Sequence, residues 1–227
     1  MAQDQEKQLA AEASLKYVHE GQVVGLGSGS TATLAIRALA ERVRAGLKIR
    51  GIPTSQASRE LAFELGIPLI TFDDLQEIDV TIDGADEFDP NLNLIKGGGG
   101  ALLREKIVAS ASRQEIIVTD SSKQVAVLGK FPLPVEVIKF AQPLVAKRIA
   151  ALGAVCVQRR DAKGEPYITD EGNHILDCRF GEIREPAKLA LTLSEIPGIV
   201  EHGLFINMAS AVLMAKGGQV IEIRRPG

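Results

Sequence analysis

The chain has 227 residues, 45% of them hydrophobic and 24% charged, enough to bury roughly 70% of its unfolded surface without a staple. A net charge of −3, 4% aromatic residues and no Trp exclude a general nucleic-acid binder and a base-stacking platform. The N-terminus MAQDQEKQLA lacks an apolar signal core and no run of about 18 apolar residues occurs, so the sequence predicts a cytoplasmic protein with no membrane partner.

Residues 4–19 read as an amphipathic helix closed by Gly21, and 22–26 as a short apolar strand. A helix follows at 31–45, with Ser30 or Thr31 as its N-cap. Residues 47–52 predict a strand, 55–66 a helix ended by glycine, and 67–72 another strand. Strands at 79–84 and 115–120 flank a helix at 101–112. Helices of this length between strands imply right-handed βαβ units. The fold class is therefore α/β, with an open, mostly parallel Rossmann-like sheet covered on both faces.

The pattern changes after the proline-punctuated segment GKFPLPVEV at 129–137. From there it runs strand 133–139, helix 142–152, strands 154–160 and 173–179, helix 185–195 and strand 199–206. That β-α-β-β-α-β order is the ferredoxin-like split βαβ arrangement, here an inserted smaller α+β domain. DAKGEP (161–166) reads as a loop or hairpin tip between its middle strands. The segment 208–223 reads as a helix and one last strand returning to the first sheet. The expected division is 1–130 with 207–227 for the Rossmann-like domain, and 131–206 for the small one.

Cys156 and Cys178 form no CxxC, which excludes a zinc ribbon or a redox motif of that type. They read as two apolar thiols in a reducing compartment, and spacing alone leaves a single disulfide open. His19, His174 and His202 are scattered without metal-ligand spacing. A histidine-centred triad or a His-rich metal site is not expected, and neither is a cofactor.

Four clusters remain, and three of them directly follow a predicted strand, where open α/β sheets form their ligand crevice. The first is Gly25-Leu26-Gly27-Ser28-Gly29-Ser30-Thr31. Its glycines permit close backbone approach, and the following helix N-terminus offers N–H groups to an anion such as a phosphate monoester. The dinucleotide fingerprint fails, because Ser30 holds the third glycine position and no acid ends the next strand. Read blandly, this is a tight turn with an ordinary cap.

The second cluster, Asp83-Gly84-Ala85-Asp86-Glu87, crowds three acids at a strand end, which needs a ligand, cation or lysine to answer them. Blander readings make Asp86 a helix cap and Glu87 a solvated side chain, or the group a magnesium site. The third, Lys96-Gly97-Gly98-Gly99-Gly100-Ala101, carries an entropic cost that a structural turn rarely needs. It enters a helix that places Ala101, Glu105 and Ala109 in one stripe, with room in front of the carboxylate. The bland alternative is a solvated Glu105 paired with Arg104 or Lys106. The fourth, Thr119-Asp120-Ser121-Ser122-Lys123, offers a cation and hydroxyls, or a plain cap with a solvated lysine.

GSGST (27–31), DGADE (83–87), KGGGGALLREK (96–106), DSSKQ (120–124) and LGKFPLPVEV (128–137), in this order, resemble the ribose-5-phosphate isomerase family of the A type. The likeness extends over nearly the whole chain, through ILDCRF (175–180), IPGIVEHGLF (196–205) and Asn207. It departs at Ser28, where the family pattern carries threonine, and at Gly100, often alanine. The resemblance implies metal-free interconversion of D-ribose 5-phosphate and D-ribulose 5-phosphate in the non-oxidative pentose phosphate pathway, by a homodimer or homotetramer. It implies Glu105 as the catalytic base. It places substrate on Ser28, Gly29, Ser30, Thr31, Asp83, Gly84, Ala85, Asp86, Lys96, Gly97, Gly98, Gly99 and Lys123.

The residues read independently suit that chemistry. Moving a proton between C2 and C1 needs a base, and the enediolate needs a cation or amide donors, which Lys96 and the glycine amides offer. Asp83 suits a hydroxyl proton shuttle, Asp86 the sugar hydroxyls, and Lys123 or Lys7 the phosphate counter-charge. A sugar-phosphate-sensing module without catalysis is the alternative, although one helix before the glycine loop is too short for a DNA-binding domain. A sugar-phosphate deaminase or acyl-CoA transferase on a similar scaffold is a second, and the deaminase would want a histidine that no cluster contains.

Overall fold

The computed structural model describes residues 3–225, so the terminal pairs 1–2 and 226–227 of the expected first domain lie outside the described residues. In chain order the chain forms α1 (Gln3–Ser14), β1 (Val23–Leu26), α2 (Ser30–Arg44), β2 (Arg50–Pro53) and α3 (Gln56–Glu64). Next come β3 (Val80–Asp83), β4 (Glu87–Phe88), β5 (Leu94–Ile95), α4 (Leu102–Ser110) and β6 (Glu115–Asp120). Then follow β7 (Leu133–Val137), α5 (Gln142–Ala151), β8 (Val155–Gln158), β9 (His174–Arg179) and α6 (Pro186–Ser194). The last strands are β10 (Ile199–His202), β11 (Leu204–Phe205), β12 (Ala211–Lys216) and β13 (Gln219–Arg224). Two compact units result, one of residues 3–85, 104–123 and 208–225, the other of 86–103 and 124–207.

The first unit holds a six-stranded sheet in the order β13-β12-β6-β3-β1-β2. Every neighbouring pair is parallel except the β12–β13 hairpin. Strands covered on both faces read as continuous apolar runs, and β1, β3 and β6 are buried at every position. Alternation splits them between two layers. Val24, Leu26, Val80, Ile82, Ile116 and Val118 share a core with residues of α1 and α2, whereas Val23, Ile52 and Ile78 pack with Val108 of α4.

Two expectations fail here. Residues 67–72 form no strand; Leu69 makes a single bridge to Gly51, because Pro68 has no N–H to extend a ladder. The helix expected from residue 208 is instead strand β12, buried from Ala211 to Ala215 between β6 and β13. A short apolar run of Ala, Val, Leu and Met carries no periodicity to separate a buried strand from a buried helix.

The second unit holds the antiparallel sheet β10-β7-β9-β8 with α5 and α6, the expected split βαβ order. Its core gathers Leu133, Val135, Val145, Ile149, Leu176, Cys178 and Leu193. The 161–166 stretch is a hairpin tip, bridged at Arg160–Pro166. The strand expected at 199–206 breaks in two. A side chain at Gly203 would lie 2.3 Å from the Lys96 carbonyl oxygen, and beyond it β11 joins a separate small sheet, β11-β5-β4. No helix among the described residues is long and apolar enough to cross a membrane.

Candidate active site

In the first unit, the loops after β1, β3 and β6 leave the same end of three adjacent parallel strands. The chain runs outward from β1 to β2 and returns with β3 on the other side of β1, so strand order reverses there, the place where open α/β sheets take their ligands. The loop after β1 carries Ser28–Thr31 into α2. Gly27 lies so close to the β3 end that a Cβ would stand 2.4 Å from Asp83 Oδ1, so only glycine fits. The same Oδ1 accepts hydrogen bonds from the Ser28 N–H (3.0 Å) and the Gly84 N–H (2.7 Å). Asp83, fully buried, thereby ties the β3 end to the glycine loop.

The cap of α2 is Gly29 at φ 88°, not Ser30 or Thr31, and no side chain closes the helix end. A helix N-terminus without a side-chain cap keeps its first N–H groups for another acceptor. Thr31 is buried and Ser30 exposed. The Ser28 hydroxyl lies 2.7 Å from both the Thr54 and the Ser55 hydroxyls, so it braces the loop against the segment after β2.

Glu105 sits in the first turn of α4 at 5% exposure, which removes the solvated-surface reading. The helix begins at Leu102, so Ala101 precedes it and the expected stripe shortens to Glu105 and Ala109. After β6, Lys123 ends a short 3-10 turn beside Asp120. Burial pushes the Asp120 carboxyl up, but bonds from the Ser122 hydroxyl and N–H and the Gln3 amide, with the Lys123 charge, outweigh it and hold it below the usual range. Buried Glu6 of α1 fastens this turn through the Ser121 N–H and hydroxyl, and Lys7 follows it, 3.8 Å from Asp4.

In the second unit, Asp86 caps no helix. Its Oδ2 accepts the Gly98 N–H at 2.7 Å, and a Cβ on Gly98 would collide with the carboxylate at 2.5 Å. Glu87 is not solvated but buried, accepting the Gly129 N–H at 2.8 Å and the Phe131 N–H at 2.5 Å. This third acid of the cluster is a structural anchor. Lys96 is 2% exposed with its ammonium 5.4 Å from the Phe205 ring centre, an environment in which a cation is costly unless charge answers it.

Three residues that the sequence reading missed hold the glycine run. The Arg159 guanidinium donates to the carbonyls of Gly97 (2.9 Å) and Gly98 (3.1 Å). Asp177 grips the same guanidinium at 2.9 and 2.5 Å. The Tyr167 hydroxyl donates to the Gly99 carbonyl at 3.3 Å. No peptide among the described residues is cis, so each N–H there points opposite to the carbonyl before it. The Gly98 N–H accordingly faces Asp86, and the Gly99 N–H is turned away from Arg159. Arg159, Tyr167 and Asp177 fall in no motif of the sequence, so nothing there marks them. Among the described residues, no three His, Cys, Asp or Glu side chains cluster in a way that could hold a metal ion.

The family profile described as ribose 5-phosphate isomerase A (phosphoriboisomerase A) matches residues 50–219. A ribose-5-phosphate isomerase A of Synechococcus sp. (strain JA-3-3Ab) is 52% identical over 225 residues, 98% of this chain and 97% of that protein. The solved ribose 5-phosphate isomerase A of Methanocaldococcus jannaschii is 40% identical at TM-score 0.94, covering 99% of this chain and 100% of that one. A solved D-ribose-5-phosphate isomerase in complex with phospho-erythronic acid is 38% identical at TM-score 0.97, with coverage of 99% and 100%.

Proposed function

This chain belongs to the ribose 5-phosphate isomerase A family, and from that premise we propose that it interconverts D-ribose 5-phosphate and D-ribulose 5-phosphate in the non-oxidative pentose phosphate pathway. The observation that carries the reading is Glu105, a carboxylate buried in the first turn of the helix that directly follows the glycine run. Glu105 takes the proton from C2 of the open-chain sugar and returns it to C1. The C2–H electron pair forms the C1=C2 bond and the C1 carbonyl pair moves onto O1, giving an enediolate. A proton passes from O2 to O1, the O2 pair closes the C2 carbonyl, and the C1=C2 pair takes the proton at C1.

The charge that develops on the oxygens is met by the Lys96 ammonium and the amides of Gly97, Gly98 and Gly99. Asp83 moves the hydroxyl proton and assists ring opening, with Gly84 and Ala85 lining the sugar and Asp86 holding its hydroxyls. The phosphate takes the N–H and hydroxyl donors of Gly29, Ser30 and Thr31, on the loop that Ser28 braces, with Lys123 as counter-charge. Binding that remote group orients the reacting carbons. We assign the protein to the cytoplasm as a homodimer or homotetramer without metal. Phe140 at 96% exposure and Leu191 at 71% support burial against a second copy.

Incubation with ribose 5-phosphate, assayed for ketopentose phosphate after EDTA dialysis, tests the reading. Turnover is expected to survive EDTA, and free ribose to be a very poor substrate. Binding of the sugar phosphate without any ketose would favour a sensing module. Activity lost to EDTA and restored by magnesium would overturn the metal-free mechanism.

A further inference from the structure

Cys156 on β8 and Cys178 on β9 stand directly opposite one another in the antiparallel ladder of the second unit, and both are free. Opposed residues in such a ladder alternate between pairs that exchange two backbone hydrogen bonds and pairs that exchange none. The Arg159 N–H donates to the Ile175 carbonyl at 2.8 Å, so those two form a bonded pair. Stepping back along the register, Gln158–Leu176 is non-bonded, Val157–Asp177 bonded, and Cys156–Cys178 non-bonded. Non-bonded pairs bring their Cα atoms to about 4.5 Å. A disulfide spans Cα separations of roughly 4.4–6.8 Å, so the strands already offer a bridgeable distance.

The two thiols are not equivalent. β8 is the outer strand of its sheet, and Cys156 on it is half-buried, whereas Cys178 is 1% exposed. The Cys178 thiol donates to the Leu176 carbonyl at 3.7 Å, and the side-chain interaction between the two cysteines lowers the Cys156 pKa from its ordinary value. The same interaction, together with burial, pushes the Cys178 thiol far up. The thiolate is the nucleophile in exchange chemistry, so an incoming electrophile meets Cys156 first.

We infer that Cys156 and Cys178 form a dithiol site that a small-molecule disulfide oxidises to a cross-strand disulfide. The Cys156 thiolate attacks one sulfur of the oxidant, forming a mixed disulfide and releasing the other sulfur as a thiolate. Cys178 then loses its proton and attacks the Cys156 sulfur, expelling the second oxidant thiolate. Both leaving thiolates take up the protons that the cysteines gave. Two protein thiols are oxidised and one external disulfide is reduced to two thiols. Cys178 never has to reach solvent. The bridge would lie next to Asp177 and three residues before Arg159, on the strands that carry the clamp of the glycine run.

The test exposes the native full-length protein to oxidised glutathione and follows intact mass and peptide maps. Wild type is expected to lose two hydrogens and yield a Cys156–Cys178 crosslinked peptide, reversed by dithiothreitol. Cys178→Ser should stop at a glutathione adduct on Cys156, and Cys156→Ser should take up none. A stable adduct on wild type without crosslink, or first attachment at Cys178, overturns the inference. Iodoacetamide labelling of untreated wild type gives a check that needs no variant. Faster labelling of Cys156 supports the site, and equal or faster labelling of Cys178 contradicts it.

Discussion

At the scale of single residues, the weight falls on Glu105. A carboxylate at 5% exposure on a helix is costly to bury, and general-base work gives that burial a purpose. Glu105→Gln keeps the shape and removes the base, so kcat is expected to fall by at least roughly 10²-fold. KM should move much less, since the phosphate and hydroxyl contacts lie on other residues. Steady-state kinetics on ribose 5-phosphate make the check. Near-normal kcat would shift the role to Asp83, whose Oδ1 already holds two backbone N–H groups. These acids were legible in the sequence because a crowd of carboxylates and four glycines needs a reason. What the crowd hid was division of labour: Glu87 looks like its neighbours in sequence, yet it anchors the Gly129 and Phe131 amides.

At the scale of elements, the glycine run is held by side chains from elsewhere in its unit. Arg159, braced by Asp177, fixes the Gly97 and Gly98 carbonyls, and Tyr167 takes that of Gly99. Peptide geometry then sets where the amides point. Arg159→Met should loosen that array and lower kcat on the order of tenfold, the scale of one lost charge-assisted hydrogen bond. Inhibition by inorganic phosphate should stay unchanged, and Arg159→Lys should recover part of the rate. An unchanged kcat in Arg159→Met would show that the run orders itself. No pattern foretold this clamp, because Arg159 lies 62 and 61 residues along the chain from the carbonyls it binds. The elements themselves were legible where an apolar run or a glycine stop was strong, as in the six-residue β6 and in α3, which ends just before Gly66. β12 was not, because its core face and its other face are equally apolar.

At the scale of the whole molecule, the termini are tied together within the first unit by charge. Hydrogen bonds from Lys16 and Arg224 hold Glu222 down to about 2, against an ordinary 4.5. A depressed acid stabilises the fold fully above its unfolded value, and that contribution disappears as pH falls from near 4.5 toward about 2. Glu222→Gln should therefore lower stability to denaturant at pH 7 and have little effect near pH 2. The difference should be small and shrink in salt, because the pair lies at the surface. An equal loss at both pH values would point to packing instead.

The most direct test of the account as a whole is turnover of ribose 5-phosphate in deuterated water, followed by NMR. A carboxylate base holds the migrating proton on an exchangeable oxygen while the enediolate lives. Solvent deuterium is therefore expected on C1 of the ribulose 5-phosphate formed, and on C2 of ribose 5-phosphate returned by the reverse reaction. Ketose formed with no deuterium at carbon, even at long incubation, would mean a hydride shift and contradict the assignment of Glu105.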